Sequence, residues 1–259
     1  MRELSLFSGI GGGIYGSLIL GWETAAYVEK DEYCQAVIRQ RIADGWFNQG
    51  NIYGDIAEFN RRHAAEYAGT IDVLTGGFPC QPFSVAGKRQ GADDERYLWS
   101  EIVKTIQVVR PGICFFENVP GLLSDPAVGE IYNALEKLGY RTKPPLVLGS
   151  SDCGNLHKRE RVWIYASHPG RERIQRQRPQ PLQRQPALSR CQDIRSLTDL
   201  RGRPDIPEPL IRGMADELPD WQQRLKAVGN GQDPIVMATA FNLLHDYPAR
   251  HGLPHPKPT

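Results

Sequence analysis

The stretch Gly76–Ser84 limits the fold of this chain most, because it places one thiol between two prolines directly after an apolar run. Proline lacks a backbone N–H and restricts the residue before it, so neither a helix nor a central strand can continue through Cys80. The preceding run Ile71–Leu74 is typical of a buried strand. A thiol on a rigid loop after a strand is where an α/β enzyme would place a nucleophile, although an unpaired cysteine is more often a small buried hydrophobe.

A second strand and a glycine-rich turn lie near the N-terminus. The run Glu3–Phe7 predicts a short buried strand, which leads into Ser8–Gly13 and then towards a helix. Strand, glycine turn and helix N-terminus together form a site where backbone N–H groups can approach a nucleotide-like ligand. By itself, such a turn fits NAD, FAD or no ligand.

Two acidic residues follow the next elements. The apolar run Thr24–Val28 ends in Glu29, about twenty residues beyond the turn, where a carboxylate usually accepts hydrogen bonds from a ribose. An ordinary solvated acid is the alternative. Asp55 precedes another helical stretch, so it could accept from an adenine amino group or cap that helix.

A further apolar strand, Gly112–Phe116, places Glu117 at its carboxyl end. Ligands of open α/β sheets bind outside the carboxyl ends of the strands, so Glu117 and Cys80 should converge on one crevice. Arg159 and Arg161 precede or begin the strand that contains Val162–Ala166. Strand alternation would place both arginines on one side, where they could donate to a substrate oxygen.

Together these motifs resemble the DNA cytosine carbon-5 methyltransferases that use S-adenosylmethionine, and most closely the phage and prophage members. The matching stretches occur in the family's usual order: Phe7–Gly12, Pro79–Gln81, Glu117–Val119, Arg159–Arg161 and Gly229–Asn230. The resemblance covers about residues 1–166 and 208–245. It implies a Rossmann-like methyltransferase fold of the α/β class with a short inserted target-recognition region. One departure is Gln232 with Asp233, where relatives more often have small or apolar residues.

The resemblance also implies roles for individual residues. Carbon 5 of cytosine is a poor nucleophile, so a thiolate, here Cys80, must first add to carbon 6. A protonated Glu117 would stabilise the ring nitrogen N3, and Arg161, with Arg159 behind it, would hold the carbonyl oxygen of a flipped-out base. The implied cofactor residues are Phe7, Gly9, Gly11, Glu29, Asp55, Ile56, Pro79, Leu98 and Asn230. The expected DNA contacts are Gln81, Ser84, Lys88, Arg89, Arg173, Arg176 and Arg178.

The predicted organisation has four parts: a catalytic and cofactor-binding domain (1–167), an arginine-rich target-recognition insert (168–207), a segment that returns to the catalytic domain (208–246) and a tail (247–259). Between His168 and Asp205 the chain has nine arginines, four acidic residues and no lysine. Arginine suits phosphates and guanine edges, whereas a disordered linker in the free protein is the alternative. So short a region predicts relaxed specificity or a very short recognition site.

The five cysteines, at positions 34, 80, 114, 153 and 191, form no close pair, so neither a zinc site nor a disulfide framework is expected. We expect neither a signal peptide nor a membrane-spanning apolar run, because the sequence has no pattern typical of either. We expect a cytoplasmic monomer of a bacterial or phage-infected cell, without metal or membrane contact. It would act on double-stranded DNA and release S-adenosylhomocysteine, and a cognate restriction endonuclease is an open partner.

Two other functions stay open at this point. A tRNA cytosine-5 methyltransferase shares the chemistry, but the Cys-Phe-Thr signature associated with that branch is absent. A non-catalytic DNA-binding relative is disfavoured, because Cys80, Glu117 and Arg161 are all present.

Overall fold

A computed structural model of the chain describes residues 1–79, 95–154, 158–171, 227 and 231–246. The chain divides into two compact units. The first unit comprises Met1–Ile174 and Gly231–Thr259, and the second comprises Gln175–Asn230. Nearly all described residues belong to the first unit, and the boundaries predicted at 167, 207 and 246 stay predictions.

The first unit contains an eight-stranded sheet. Its strands are β1 (Arg2–Leu6), β2 (Glu23–Val28), β3 (Asn51–Tyr53), β4 (Val73–Gly77), β5 (Ile113–Asn118), β6 (Arg141–Thr142), β7 (Leu146–Gly149) and β8 (Glu160–Ser167). They lie in the order β3-β2-β1-β4-β5-β8-β6, and β7 also pairs with β8. The first five are mutually parallel, whereas β8 runs antiparallel to β5. The predicted α/β class is therefore confirmed.

Helices connect the parallel strands and cover the sheet. They are α1 (Gly12–Ile19), α2 (Glu32–Ala43), α3 (Ile56–Arg62), α4 (Glu95–Val109), α5 (Ala127–Lys137) and α6 (Pro234–Asp246). Within the described ranges, none of the helices is both long and apolar enough to cross a membrane.

The central strands read as unbroken apolar runs because both faces of the sheet are covered. Leu4, Leu74 and Phe116 belong to one core cluster, and Val73 and Phe115 belong to another that includes Phe241 of α6. Helix α6 packs closely on α1, where a Cβ on Gly16 would lie 2.6 Å from the Met237 sulfur. Helix α6 thus belongs to the core on the side of the sheet to which Val73 and Phe115 contribute.

Strand β1 lies between β2 and β4. The chain therefore adds β2 and β3 on one side of β1 and then crosses over to add β4 and β5 on the other side. Such a switch point opens a crevice at the carboxyl ends of the strands. The loops that follow β1, β2, β3, β4 and β5 all start at this edge, and they contain most of the predicted site residues.

Candidate active site

The turn after β1 has the left-handed backbone that glycine permits. Phe7, Gly9 and Gly11 have φ of 51°, 54° and 92°. An aromatic residue in this region costs roughly 1–3 kcal/mol, and such strain concentrates at functional sites. A Cβ on Gly11 would lie 2.4 Å from the Phe47 ring, whereas a Cβ on Gly9 would meet no described atom within 4 Å. The backbone at Gly9 is therefore open to close approach by a ligand.

Glu29 follows β2 and is held by backbone donors. The amide of Gly9 donates to its Oε2 at 2.6 Å, and the amide of Asp31 donates to its Oε1 at 2.8 Å. Burial raises the pKa of Glu29, the nearby Asp31 charge adds to the rise, and backbone hydrogen bonds from Asp31, Gly9 and Lys30 oppose it. The carboxyl group is thus fixed beside the glycine turn, where its oxygens are acceptors of the kind that bind a ribose hydroxyl.

Asp55 follows β3 and caps α3. Its Oδ1 accepts from the amides of Ala57 at 2.9 Å and Glu58 at 3.2 Å, which is the capping role left open by the sequence. Both bonds go to one oxygen, so Oδ2 can still accept from a ligand. Ile56 is only 4% exposed and belongs to the core, which leaves little of its side chain for an adenine ring.

Buried aromatic rings support the start of the loop that leads to Cys80. Phe78 lies 5.6 Å from Trp99 and 6.2 Å from Phe116, measured between ring centroids. The exposed Pro79 follows directly. Leu98, next to Trp99 on α4, is partly buried against the core.

Asn118 fixes this loop to β5. Its Nδ2 donates to the Phe78 carbonyl at 3.2 Å, and its Oδ1 accepts from the Val119 amide at 2.8 Å. The side chain is 3% exposed. Asn118 belongs to the motif Glu117–Val119 but had no predicted role of its own. The signal that could have indicated one is a polar side chain at the end of an apolar strand.

Glu117 and Arg161 form an ion pair across β5 and β8. Arg161 Nε lies 2.7 Å from Glu117 Oε1, although the two residues are far apart in the chain. Glu117 is 8% exposed. Burial raises the pKa of Glu117, while Arg161, Gln232 and Arg159 each oppose the rise. Burial thus favours the protonated form of this carboxyl group, and its polar neighbours favour the ionised form.

Arg159 lies nearby but has a different partner. Its guanidinium donates to the Gly231 carbonyl, and burial together with the Arg161 charge lowers its pKa from the usual range. Glu117 and Asp233 counter that shift. Arg161 therefore contacts Glu117 directly, and Arg159 connects β8 to the segment before α6.

The other predicted site residues lie outside the described residues. They are the nucleophile Cys80, the cofactor residue Asn230 and the expected DNA contacts Gln81, Ser84, Lys88, Arg89, Arg173, Arg176 and Arg178.

The described edge fits S-adenosylmethionine chemically. The open backbone at Gly9 suits close approach by the amino-acid part, the Glu29 carboxyl offers acceptors for ribose hydroxyls, and Asp55 Oδ2 offers one for an amino group. The fold and this edge define a class of Rossmann-like α/β proteins with a nucleotide-type ligand site at the carboxyl ends of the parallel strands.

Comparison with known proteins narrows that class. The model of the family described as C-5 cytosine-specific DNA methylase matches residues 1–230. The chain therefore belongs to the C-5 cytosine-specific DNA methylase family, as its motifs predicted.

Curated relatives agree with this assignment. The type II methyltransferase M.HpaII of Haemophilus parainfluenzae is 30% identical over 88% of this chain and 61% of its own length. M.HgiBI of Herpetosiphon aurantiacus, also a type II methyltransferase, is 37% identical over 63% of this chain and 36% of its own length. The orphan methyltransferase M.SPRI of Bacillus phage SPR is 32% identical over 63% and 37%. The chain thus spans between about a third and three fifths of the length of these relatives.

Solved structures show the same fold. A DNA modification methyltransferase encoded within an E. coli prophage has a TM-score of 0.53 at 24% identity, over 66% of this chain and 47% of its own. The Dnmt2 methyltransferase of S. pombe has a TM-score of 0.51 at 20% identity, over 65% and 49%.

Proposed function

We propose that this chain transfers a methyl group from S-adenosylmethionine to carbon 5 of a cytosine flipped out of double-stranded DNA. The observation that carries the proposal is the buried Glu117–Arg161 pair at the carboxyl end of β5, beside the Phe78–Pro79 start of the Cys80 loop. Membership of the family supports the same reading.

The proposed chemistry divides between three side chains. The Cys80 thiolate adds to carbon 6 of the base while protonated Glu117 donates a hydrogen bond to N3, so the ring electron pair becomes available at carbon 5. Arg161 neutralises charge on the ring carbonyl oxygen and orients the base. Carbon 5 takes the electrophilic methyl group that S-adenosylmethionine would supply, and S-adenosylhomocysteine is the leaving group. Carbon 5 then loses its proton to a base or water, and the thiolate leaves carbon 6.

Binding of the cofactor is assigned to the edge formed by the turns after β1, β2 and β3. Gly9 offers an open backbone, Glu29 accepts from the ribose hydroxyls, and Asp55 accepts from the adenine amino group through Oδ2. Asn230 and Pro79 are proposed as further contacts on the basis of the motifs that contain them.

The test is a transfer assay with labelled S-adenosylmethionine on duplex DNA and, separately, on tRNA. Label should enter DNA cytosine in the wild type and be absent with Cys80→Ala, which should still bind the cofactor. Cys153→Ala is a matched control, because Cys153 lies on the turn Ser150–Cys153 and belongs to no proposed step. Transfer to tRNA alone would favour the tRNA branch, and cofactor-independent DNA binding without transfer would favour a non-catalytic relative.

We further propose that sequence specificity is relaxed or limited to a very short site. The support is the composition and length of segment 168–207, in which arginines can grip phosphates without reading many bases. Bisulfite sequencing of DNA from cells that express the protein should show methylation in many short contexts. A single site of four or more fixed base pairs would contradict this.

A cognate restriction endonuclease, a monomeric state and a cytoplasmic location stay predictions. The relatives include both type II enzymes and an orphan phage enzyme, so either arrangement has a precedent among similar proteins.

A further inference from the structure

The segment before α6 is anchored to several parts of the fold. The Gly231 carbonyl accepts from Arg159, and Ser150 Oγ donates to Asp233 Oδ2 at 2.7 Å. Asp233 Oδ1 accepts from the Ile235 amide at 3.0 Å and so caps the start of α6. Gln232, between these two anchored residues, therefore has a defined backbone position.

The glycines around Gln232 show how closely it is packed. Its backbone carbonyl oxygen lies 2.2 Å from where a Gly12 Cβ would stand, and its side-chain Oε1 lies 2.1 Å from the Cβ position of Gly13. At both positions an alanine would collide with Gln232. The Gln232 side chain thus crosses the N-terminal turn of α1, above the start of the cofactor edge.

The far end of the same side chain reaches Glu117. Gln232 Nε2 lies 2.7 Å and Glu117 Oε2 lies 2.8 Å from the Cβ position of Gly77, so the two atoms are neighbours over the end of β4. At this separation the amide stabilises the charged form of the carboxyl group. Arg161 Nε lies 2.7 Å from Oε1, so a polar side chain lies near each oxygen of Glu117.

We propose that Gln232 is a positioning residue that holds the Glu117 carboxyl from the cofactor side of the crevice while Arg161 holds it from the other. The catalytic meaning of this contact rests on the function proposed above. A small or apolar side chain at this position could not interact with the carboxyl group in this way.

The contact between Gln232 and Glu117 can be measured through the pKa of the Glu117 carboxyl group. The groups that act on Glu117 are the cations Arg161 and Arg159 and the neutral amide of Gln232, and all three favour the ionised carboxylate. Removing the amide while leaving both arginines should raise the pKa of Glu117. A residue that only fills space would leave this pKa unchanged.

The first measurement does not depend on activity. The carboxyl carbon of Glu117 is followed by NMR in protein labelled with ¹³C-glutamate, with the resonance assigned by its loss in Glu117→Gln. In Gln232→Met, which keeps side-chain length but removes the amide, the Glu117 midpoint should rise by roughly one pH unit. The control is Gln107→Met, which removes an exposed amide from α4 and should leave the midpoint in place.

A second variant guards against a packing defect. Gln232→Glu has nearly the same shape, so it keeps the side-chain volume, and its negative charge should raise the Glu117 midpoint further than Gln232→Met does. The expected order of midpoints is wild type, then Gln232→Met, then Gln232→Glu. Equal midpoints in the wild type and both variants would overturn the inference.

Kinetics then connect the contact to catalysis. At saturating cofactor and DNA, kcat of Gln232→Met should fall about tenfold, roughly the value of one lost hydrogen bond in a positioned site. The pH limb assigned to Glu117 should move upward with the NMR midpoint. If the NMR midpoint moves but the wild type transfers no methyl group, the contact stands and the proposed function fails. If the wild type is active and neither quantity moves, the positioning role fails.

Discussion

The carboxyl groups of Glu29, which is partly buried, and Glu117, which is buried, lie at the same edge of the sheet. Backbone amides hold the first, whereas side chains hold the second. Glu29 accepts from the backbone amides of Gly9 and Asp31, which belong to turns adjoining the parallel strands. Glu117 is held by the side chains of Arg161 and Gln232, which come from β8 and from the segment before α6.

The difference fits the two tasks proposed for these groups. Backbone donors cannot rotate away, so they suit a carboxylate that binds one cofactor in one orientation. Side-chain partners can exchange when a base arrives, which suits a carboxyl group that must change its hydrogen-bonding during a reaction. Mutations at the two sites should therefore separate binding from turnover.

The largest effect is expected at Glu117. Glu117→Gln removes the proton donor but nearly keeps the shape, so kcat should fall by about 10²–10⁴-fold with little change in cofactor affinity. Transfer kinetics and calorimetry measure the two quantities. Glu3→Gln is the matched control, because Glu3 is a buried carboxyl group bonded to Ser17, Thr24 and Thr75 away from the proposed chemistry. Equal losses in both variants would indicate a general packing defect.

The converse result is expected at Glu29. Glu29→Ala should weaken cofactor binding by about 1–3 kcal/mol, the range for a lost hydrogen bond to a charged group, while kcat at saturating cofactor changes less. Calorimetric titration with S-adenosylhomocysteine measures the affinity. Glu32→Ala, an exposed acid in the first turn of α2, should bind as the wild type does. A kcat effect at Glu29 as large as that at Glu117 would break the distinction between the two sites.

The difference between backbone partners and side-chain partners also explains how much of each site could be predicted from the sequence. The Glu29 site could be predicted because a strand, a glycine turn and an acid at a fixed distance are local signals. The continuous apolar runs likewise indicated β1, β2, β4, β5 and β8, because strands buried on both faces leave that pattern.

The surroundings of Glu117 could be predicted only in part. The sequence predicted that Glu117 and Cys80 share one crevice and that Arg161 donates to a substrate oxygen. The antiparallel pairing of β5 with β8, which joins Glu117 to Arg161, has no local signal. Gln232 was visible only as a departure from the family pattern. Its contact with Glu117 depends on how α6 packs against α1, which is a tertiary property.

The pH dependence of stability sharpens the comparison further. Burial raises the pKa of Glu117 in the folded state above its ordinary value of 4.5, so the folded protein binds this proton more tightly than the unfolded chain does. Stability from this group is complete below pH 4.5 and is lost as pH rises through the folded pKa. The unfolding free energy of Glu117→Gln relative to wild type should therefore increase from pH 5 to pH 8 in urea titrations.

Glu3 provides an internal check on that result. Burial also raises its pKa, with three hydroxyl donors opposing the rise, so Glu3→Gln should gain stability relative to wild type in the same direction as pH increases. Only Glu117→Gln should also lose turnover. A relative stability that decreases with pH in either variant would contradict the direction assigned to its carboxyl group.

The smallest effect concerns Asp55, for which the structure shows a cap and the family pattern implies a cofactor contact. Asp55→Ser keeps one side-chain oxygen that can cap α3 but lacks the second oxygen that could accept from a ligand. Because the cap is kept, the unfolding free energy should change by less than about 0.5 kcal/mol. Cofactor affinity should fall by about 1 kcal/mol if Oδ2 binds the adenine amino group. Asp125→Ser is the matched control, because Asp125 Oδ1 accepts from the Ala127 amide at the start of α5 and has no proposed cofactor contact. Equal affinities in the two variants would reduce Asp55 to a helix cap and leave adenine recognition to other residues.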